Sequence, residues 1–164
     1  MGLFDKFKTK KIETDSGVVY APMNGKVIPL EEIPDQIFSQ GVLGPGCGME
    51  PKEGELVAPF NGKIASIAET NHAIGILSED GIELLMHVGM DTVQMNGDGF
   101  EVKVKEGDRV NCGQLLIKFN IEKIKKAGYP TATAIIVTNA DNFEKINFIS
   151  AEYIEKTNKI GTVQ

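Results

Sequence analysis

Two segments of the chain repeat each other, so the fold must contain a duplicated β unit. Residues 19–30 read VYAPMNGKVIPL and residues 56–67 read LVAPFNGKIASI. Each segment has two apolar runs separated by Asn-Gly, and both of these residues accept the positive φ of a tight hairpin turn. The repeat therefore predicts two similar β-hairpins, each turning at Asn-Gly.

The rest of the sequence is also dominated by short strand patterns. Residues 100–119, FEVKVKEGDRVNCGQLLIKF, contain three apolar runs separated by Gly-Asp and Gly-Gln. Residues 121–129, IEKIKKAGY, have the apolar spacing of a short helix that Gly128 would end, and the stretch before Pro34 adds one turn at most. We expect an all-β fold, an antiparallel β-sandwich or barrel of roughly ten to a dozen strands with one or two short helices.

The chain length of 164 residues is that of one domain, which we expect to span residues 17–164. Residues 1–16 are predicted to form a flexible tail, amphipathic because Leu3, Phe4 and Phe7 alternate with lysines, and able to touch an anionic membrane weakly. The sequence has neither a spanning apolar run nor a signal-peptide pattern, so we expect a cytoplasmic protein.

The charge balance excludes some classes of partner. A net charge of −6 argues against nucleic acid, whose binding needs clustered Lys and Arg, and favours a basic protein partner. Cys47 and Cys112 lack the number and spacing of a disulfide framework, and we expect both to be reduced thiols.

The chain places its two histidines, His72 and His87, in one apolar segment, TNHAIGILSEDGIELLMHVGMDT. Two apolar runs flank SEDG, which predicts a hairpin. A loop at Glu79-Asp80 puts the imidazoles directly opposite each other, about 4.5–5.5 Å apart at Cβ, and a loop at Asp80-Gly81 puts them on a diagonal, about 7–8 Å apart. Either register brings the rings together on one face.

Such a pair has specific chemistry. Two unit charges about 4 Å apart repel by about 4 kcal/mol at an effective dielectric of 20, so at least one ring is neutral near pH 7. A neutral ring nitrogen is a nucleophile and a metal ligand. Zinc, a candidate ion for His72 and His87, takes three or four protein ligands, and Asp91 or Glu83 are the nearby acids in the sequence.

The motifs HVGMDTV, ETNHA, EEIPDQIF, VAPFNGKI and EGDRVNCGQ together resemble the glucose-type enzyme IIA family of the bacterial phosphoenolpyruvate-dependent sugar phosphotransferase system. The resemblance runs from about residue 17 to the C-terminus. It implies a β-sandwich of duplicated hybrid-motif type and a monomeric phosphocarrier that needs no cofactor.

The resemblance also implies roles for the histidine motifs. His87 would accept a phosphoryl group on Nε2 from the phosphohistidine of HPr and pass it to a cysteine of the IIB domain of a sugar permease. His72 would stabilise the phosphoryl oxygens, Thr70 would orient His72, and the Gly89 carbonyl would hold the other nitrogen of His87. Phosphoryl transfer depends mainly on positioning and charge stabilisation, which suits two imidazoles.

The same resemblance implies a docking face for partner proteins. Asp35 and Asp91 match rim acids that pair with an arginine of HPr. An apolar collar matches Ile37, Phe38, Val42, Leu43 and Leu85. Regulated transporters or kinases are further candidate partners, and the protein would sit at the inner face of the membrane while it engages the permease.

Three other interpretations compete with this one. A lipoyl or biotinyl carrier would use Lys26 or Lys63, but neither lysine has the sequence setting of such domains. A zinc peptidase of related architecture would need a His-x-His pair, which the sequence lacks. The remaining alternative is a non-catalytic regulatory or metal-binding docking module.

Overall fold

The computed structural model describes residues 12–164, and this part of the chain is almost entirely β-structure. Its strands are β1 (Val18–Tyr20), β2 (Gly25–Pro29), β3 (Gly46–Pro51), β4 (Glu55–Val57), β5 (Gly62–Ile67), β6 (Ala73–Ser78), β7 (Glu83–His87), β8 (Phe100–Val102), β9 (Arg109–Val110), β10 (Leu115–Phe119), β11 (Thr133–Val137), β12 (Ile146–Phe148), β13 (Ala151–Ile154) and β14 (Lys159–Val163). The helices are α1 (Gln36–Ser39) and α2 (Ile121–Lys126), with 3-10 turns at Leu30–Glu32, Thr92–Met95 and Ala140–Asn142. The all-β prediction with one or two short helices is confirmed.

The strands form three antiparallel sheets. The large sheet has eight strands in the order β13-β2-β3-β11-β7-β6-β5-β9. The two small sheets have three strands each, β1-β14-β12 and β4-β10-β8. Their buried residues, such as Val19 and Leu116, join those of the large sheet, such as Met49 and Met86, in one core cluster. The architecture is therefore a β-sandwich.

The central strand β11 is buried along its whole length and separates two apolar clusters. Ile135 and Val137 belong to the main core. Ala134 and Ile136 belong to a second cluster on the other face of the large sheet, as the alternation of side chains along a strand requires. This second face, called the outer face below, carries the site.

The duplication predicted from the repeated segments is confirmed by a reciprocal pair of backbone hydrogen bonds. Tyr20 N donates to the Pro59 carbonyl at 2.9 Å, and Val57 N donates to the Pro22 carbonyl at 2.7 Å. The two donors occupy equivalent positions of the repeats, and so do the two acceptors. The halves of the molecule therefore contact each other through equivalent backbone groups.

The predicted hairpins at Asn-Gly are wrong. β1 pairs with β14, whereas β2 pairs with β3 and β13, so Asn24-Gly25 links strands of different sheets. The second repeat behaves in the same way, since β4 pairs with β10 while β5 pairs with β6 and β9. No Asn or Gly of these two dipeptides has positive φ.

The Asn-Gly pairs have a different physical role from the one predicted. The Asn24 side-chain oxygen accepts from Lys156 N, and that of Asn61 accepts from Cys112 N, both at 2.8 Å. A Cβ on Gly62 would lie well inside van der Waals distance of the Leu77 carbonyl oxygen. Glycine is needed here for close approach of two backbones, and asparagine for a tertiary hydrogen bond.

Helix α2 follows the predicted signals. Asn120 caps its first turn by accepting from Lys123 N at 3.0 Å, and Gly128, with φ of +90°, ends it. The cysteines Cys47 and Cys112 are free and buried, and burial raises the pKa of Cys47 to about 12.

The predicted amphipathic residues Leu3, Phe4 and Phe7 lie outside the described residues. Just before β1, Ser16 Oγ donates to Asp80 at 2.7 Å, and Thr14 Oγ1 accepts from the Asn61 amide at 3.3 Å. Within residues 12–164, none of the helices has the length and apolar character needed to cross a membrane.

Candidate active site

His72 and His87 meet at one end of the hairpin formed by β6 and β7. Their Nε2 atoms are 3.1 Å apart, and the ring centroids are separated by 4.6 Å with the planes at 86°. His72 is 5% exposed and His87 is half-buried. The predicted meeting of the two imidazoles is confirmed.

Neither predicted register of this hairpin is correct. His87 pairs with Ala73, one position away from His72. The loop has three residues, Glu79-Asp80-Gly81, in which Gly81 has φ of +93° and Ser78 N donates to Ile82 O at 2.9 Å. Three-residue hairpin loops commonly place a left-handed residue at this point.

The rings meet despite this register because His72 lies immediately before β6, at the end of the ladder. Its carbonyl accepts from Val88 N at 2.8 Å, which pairs His72 with a residue of the main core rather than of the outer face. Asn71, with φ of +62°, turns the chain immediately before His72. The His72 ring lies 6.4 Å from the Phe100 ring of the main core and reaches His87 around the end of the strand.

Hydrogen bonds at the two ends of the pair fix its protons. A backbone carbonyl can only accept, so Nδ1 of His87 donates to Gly89 O at 2.8 Å and its Nε2 carries a lone pair. Nε2 of His72 must then donate to Nε2 of His87. Nδ1 of His72 consequently accepts from the Thr70 hydroxyl at 2.7 Å. The network therefore presents a nucleophilic nitrogen with an N–H group facing it.

The electrostatics keep both rings neutral at pH 7. Burial, assisted by repulsion from His87, lowers the pKa of His72 to about 4. Burial also lowers the pKa of His87, against the opposing effects of the Gly89 carbonyl and of the Asp35 and Asp91 carboxylates. Neutral imidazoles are the form that the proton arrangement above requires.

The segment between β2 and β3 covers one side of His87. Phe38 in α1 is buried, with its ring centroid 5.0 Å from that of His87. The Asp35 carboxylate caps α1 by accepting from the backbone N–H groups of Ile37 at 2.9 Å and Phe38 at 3.4 Å. Phe38, expected in the docking collar, is instead buried against the His87 ring and belongs to the second cluster with Ile28 and Ile33.

The loop after β7 lies on the other side of His87. Gly89 and Asp91 both have left-handed backbone conformations, with φ of +74° and +60°. Asp91 is exposed, and its carboxylate and that of Asp35 both raise the pKa of His87 electrostatically. The two predicted rim acids therefore lie near enough to the His87 imidazole to act on it electrostatically.

The predicted apolar collar is partly present at the surface. Ile37, Val42 and Leu43 are 54%, 67% and 41% exposed, whereas Leu85 is only half exposed and packs on the second cluster. Val93, two residues after Asp91, is a further exposed apolar side chain, 46% exposed, that was not predicted from the sequence. An apolar residue in a polar turn, as in DTVQ, is the sequence signal that could have identified it.

Metal ligands are too few for zinc at this site. Within residues 12–164, no group of three or more His, Cys, Asp and Glu side chains is placed to hold an ion. The two imidazoles offer two of the three or four protein ligands that zinc takes. The predicted zinc site is not supported.

Comparisons with known proteins identify the family of the chain. Residues 17–143 match the family model of the phosphoenolpyruvate-dependent sugar phosphotransferase system, EIIA 1. The chain is 42% identical to the PTS system glucose-specific EIIA component of Staphylococcus aureus (strain COL), over 91% of this chain and 89% of the relative. It is 41% identical to the component of the same name from Staphylococcus epidermidis (strain RP62A), over 94% and 93% of the two chains.

A solved structure is similar over nearly the full length. The glucose permease IIA from Mycoplasma capricolum superposes with a TM-score of 0.80 at 30% identity, and the match covers 94% of this chain and 97% of that one. The chain therefore belongs to the EIIA 1 family of the phosphoenolpyruvate-dependent sugar phosphotransferase system, and is a phosphotransferase component of sugar uptake.

Proposed function

We propose that Nε2 of His87 accepts a phosphoryl group from the phosphohistidine of HPr and passes it to a cysteine on the IIB domain of a sugar permease. The observation that carries the proposal is the proton arrangement of the pair: Nδ1 of His87 donates to the Gly89 carbonyl, so the lone pair lies on Nε2. The N–P bond forms at this atom as the N–P bond in HPr breaks, and it breaks in turn when the thiolate attacks.

His72 supports both transfers in this proposal. Its Nε2–H, 3.1 Å from Nε2 of His87, is placed to donate to a phosphoryl oxygen once that nitrogen is occupied. A hydrogen bond to a charged oxygen contributes about 1.5–3 kcal/mol, and the neutral ring adds no repulsion in the unloaded state. Thr70, which donates to the other nitrogen of His72, keeps this proton on Nε2.

The surface around the pair fits a protein that carries a cation and an apolar patch. Asp35 and Asp91 contribute negative charge near His87. Ile37, Val42 and Leu43 provide exposed apolar side chains beside them. Protein interfaces of this kind combine an apolar centre with a charged rim, so HPr and the IIB domain would share this face in turn.

The proposal includes one EIIA domain spanning residues 17–164, preceded by a tail that touches an anionic membrane. The names of the relatives favour glucose as the sugar served. Binding to transporters or kinases is compatible, because a phosphoryl group adds about −1.5 to −2 of charge to the docking face. The alternative of a docking module without phosphoryl transfer is not favoured by family membership.

Phosphorylation assays with two variants test the proposal. The protein is incubated with phosphoenolpyruvate, enzyme I and HPr, and acid-labile phosphate is measured by intact mass. We expect phosphate on the wild type, none that is stable on His87→Gln, and a phosphorylated His72→Gln that fails to pass the group to a IIB domain. Phosphate retained on His87→Gln would contradict the proposal, and an added lipoyl or biotinyl mass would favour the carrier interpretation.

A further inference from the structure

The turn after β7 decides the orientation of the Gly89 carbonyl. A peptide group is planar and trans, so its C=O and N–H point in opposite directions. The Gly89 carbonyl points at Nδ1 of His87, and the N–H of the same peptide group, on Met90, donates to Pro130 O at 3.0 Å. This backbone bond anchors one side of the peptide group that faces His87.

Thr92 anchors the other side of Gly89. Its hydroxyl donates to the Val88 carbonyl at 2.6 Å, which fixes the peptide group that precedes Gly89. Its methyl group lies where a Cβ on Gly89 would be. Thr92 is 0% exposed, so its hydroxyl has no access to solvent.

These contacts resist a backbone that would otherwise relax. Asp91 has φ of +60°, a left-handed conformation that aspartate adopts less readily than glycine. Without the Thr92 hydroxyl, the buried Val88 carbonyl would lose its donor and the turn would be free to change. The Gly89 carbonyl would then no longer be held at hydrogen-bonding distance from Nδ1 of His87.

We propose that Thr92 is a positioning residue for phosphoryl transfer: its buried hydroxyl holds the turn that aims the Gly89 carbonyl at His87 and so keeps the lone pair of His87 on Nε2. The inference rests on the proposed function for its effect on transfer, but its effect on the His87 proton is independent of any partner. The Thr92 hydroxyl bonds the backbone rather than the imidazole, and it acts through the backbone.

Nitrogen NMR of histidine-labelled protein measures the proton position directly. The chain has two histidines, so the spectrum contains two imidazoles, and His72→Gln identifies the signals of His87. In the wild type we expect the His87 proton on Nδ1. A wild-type His87 with its proton on Nε2 would overturn the proposal, whatever happens to the variants.

Three variants separate positioning from general destabilisation. Thr92→Val keeps the shape and removes the donor, and we expect the ratio of the Nε2–H to the Nδ1–H form of His87 to rise by about fivefold, the effect of losing one ordinary hydrogen bond. Thr92→Ser keeps the hydroxyl and should behave as wild type. Ser78→Ala is the matched control, because Ser78 is also buried and its hydroxyl bonds Asp80 and the backbone N–H of Ile82 at the loop end of the β6–β7 hairpin, away from Gly89.

Phosphorylation by HPr forms the second readout. We expect Thr92→Val to be loaded more slowly, but by less than fivefold, because the fraction of His87 with a free Nε2 falls by less than the proton ratio rises. Part of its phosphate should lie on Nδ1, and the two other variants should match the wild type. An unchanged His87 proton position in Thr92→Val, or an equal change in Ser78→Ala, would overturn the proposal. If the wild type accepts no phosphate at all, the proposed function fails while the NMR comparison still decides the role of Thr92.

Discussion

Nε2 of His72 donates a hydrogen bond to Nε2 of His87, and groups outside the pair set this direction. The Gly89 carbonyl can only accept, which places a proton on Nδ1 of His87, and the Thr70 hydroxyl completes the chain at Nδ1 of His72. An isolated imidazole exchanges its proton between two nitrogens, whereas this pair has one arrangement that satisfies all three bonds. The lone pair and the donor that faces it are thus positioned before any phosphoryl group arrives.

Replacing Thr70 by valine should disturb the pair without removing either histidine. Nδ1 of His72 would lose its donor, so this ring could take its proton on Nδ1 and present no N–H to a phosphoryl oxygen. We expect transfer from the loaded protein to a IIB domain to slow by about fivefold, measured by single-turnover kinetics. Thr70→Ser, which keeps the hydroxyl, should restore the wild-type rate, and equal rates in all three proteins would contradict this role.

Asp35 combines a structural role with an electrostatic one, and two variants separate them. Asparagine caps helices about as well as aspartate, whereas alanine costs about 1 kcal/mol. Thermal unfolding should therefore show Asp35→Asn close to wild type and Asp35→Ala less stable by about that amount.

The same two variants report on docking. Both lose the carboxylate that raises the pKa of His87, so NMR titration should give a lower pKa for His87 in each. Phosphorylation by HPr should show a raised KM for both if the carboxylate meets a cation of HPr. A KM that rises only in Asp35→Ala would assign the residue to capping alone.

Protonation of His72 should destabilise the fold in mild acid. Its pKa is about 4 in the folded protein against 6.5 for an unperturbed histidine, so the unfolded chain binds the proton first as the pH falls. The stabilising contribution of the neutral His72 side chain is complete above pH 6.5. It is lost between about pH 6.5 and pH 4, and the total loss is about 3 kcal/mol. Urea unfolding across this range should show a smaller loss in His72→Gln than in the wild type, and parallel curves would rule the effect out.

The histidine pair could be predicted from sequence because it lies within one hairpin. The predicted registers were nevertheless wrong, because both assumed a loop of two residues, whereas the loop Glu79-Asp80-Gly81 has three and places His72 and His87 on opposite faces of the ladder. The rings meet because His72 lies at the end of the ladder, where its ring can reach around to His87, and Asn71 turns the chain immediately before it. The local sequence pattern was sufficient to predict that the two imidazoles lie close together, but not how the chain brings them together.

Features that depend on distant parts of the chain were not predictable in the same way. The packing of Phe38 against His87 needs the segment between β2 and β3 to fold over the outer face, and no periodicity specifies this. The pairing of β1 with β14 joins the two ends of the domain, so the hairpin expected at Asn24-Gly25 does not form. The repeat itself predicted duplication correctly but not which strands pair.

The role of the Asn-Gly glycines gives the last prediction. If Gly62 served a turn with positive φ, asparagine would replace it at little cost, since asparagine also adopts that conformation. In the structure any Cβ at Gly62 meets the Leu77 carbonyl, and neither chain can move without breaking the β5–β6 ladder. Gly62→Asn should therefore lower the free energy of unfolding by about 2–4 kcal/mol.

Gly81→Asn is the control, because Gly81 has positive φ and open space around it, and it should cost about 1 kcal/mol or less. Urea unfolding of the two variants measures the contrast. Similar small losses of unfolding free energy in both would show that Gly62 acts as an ordinary turn residue.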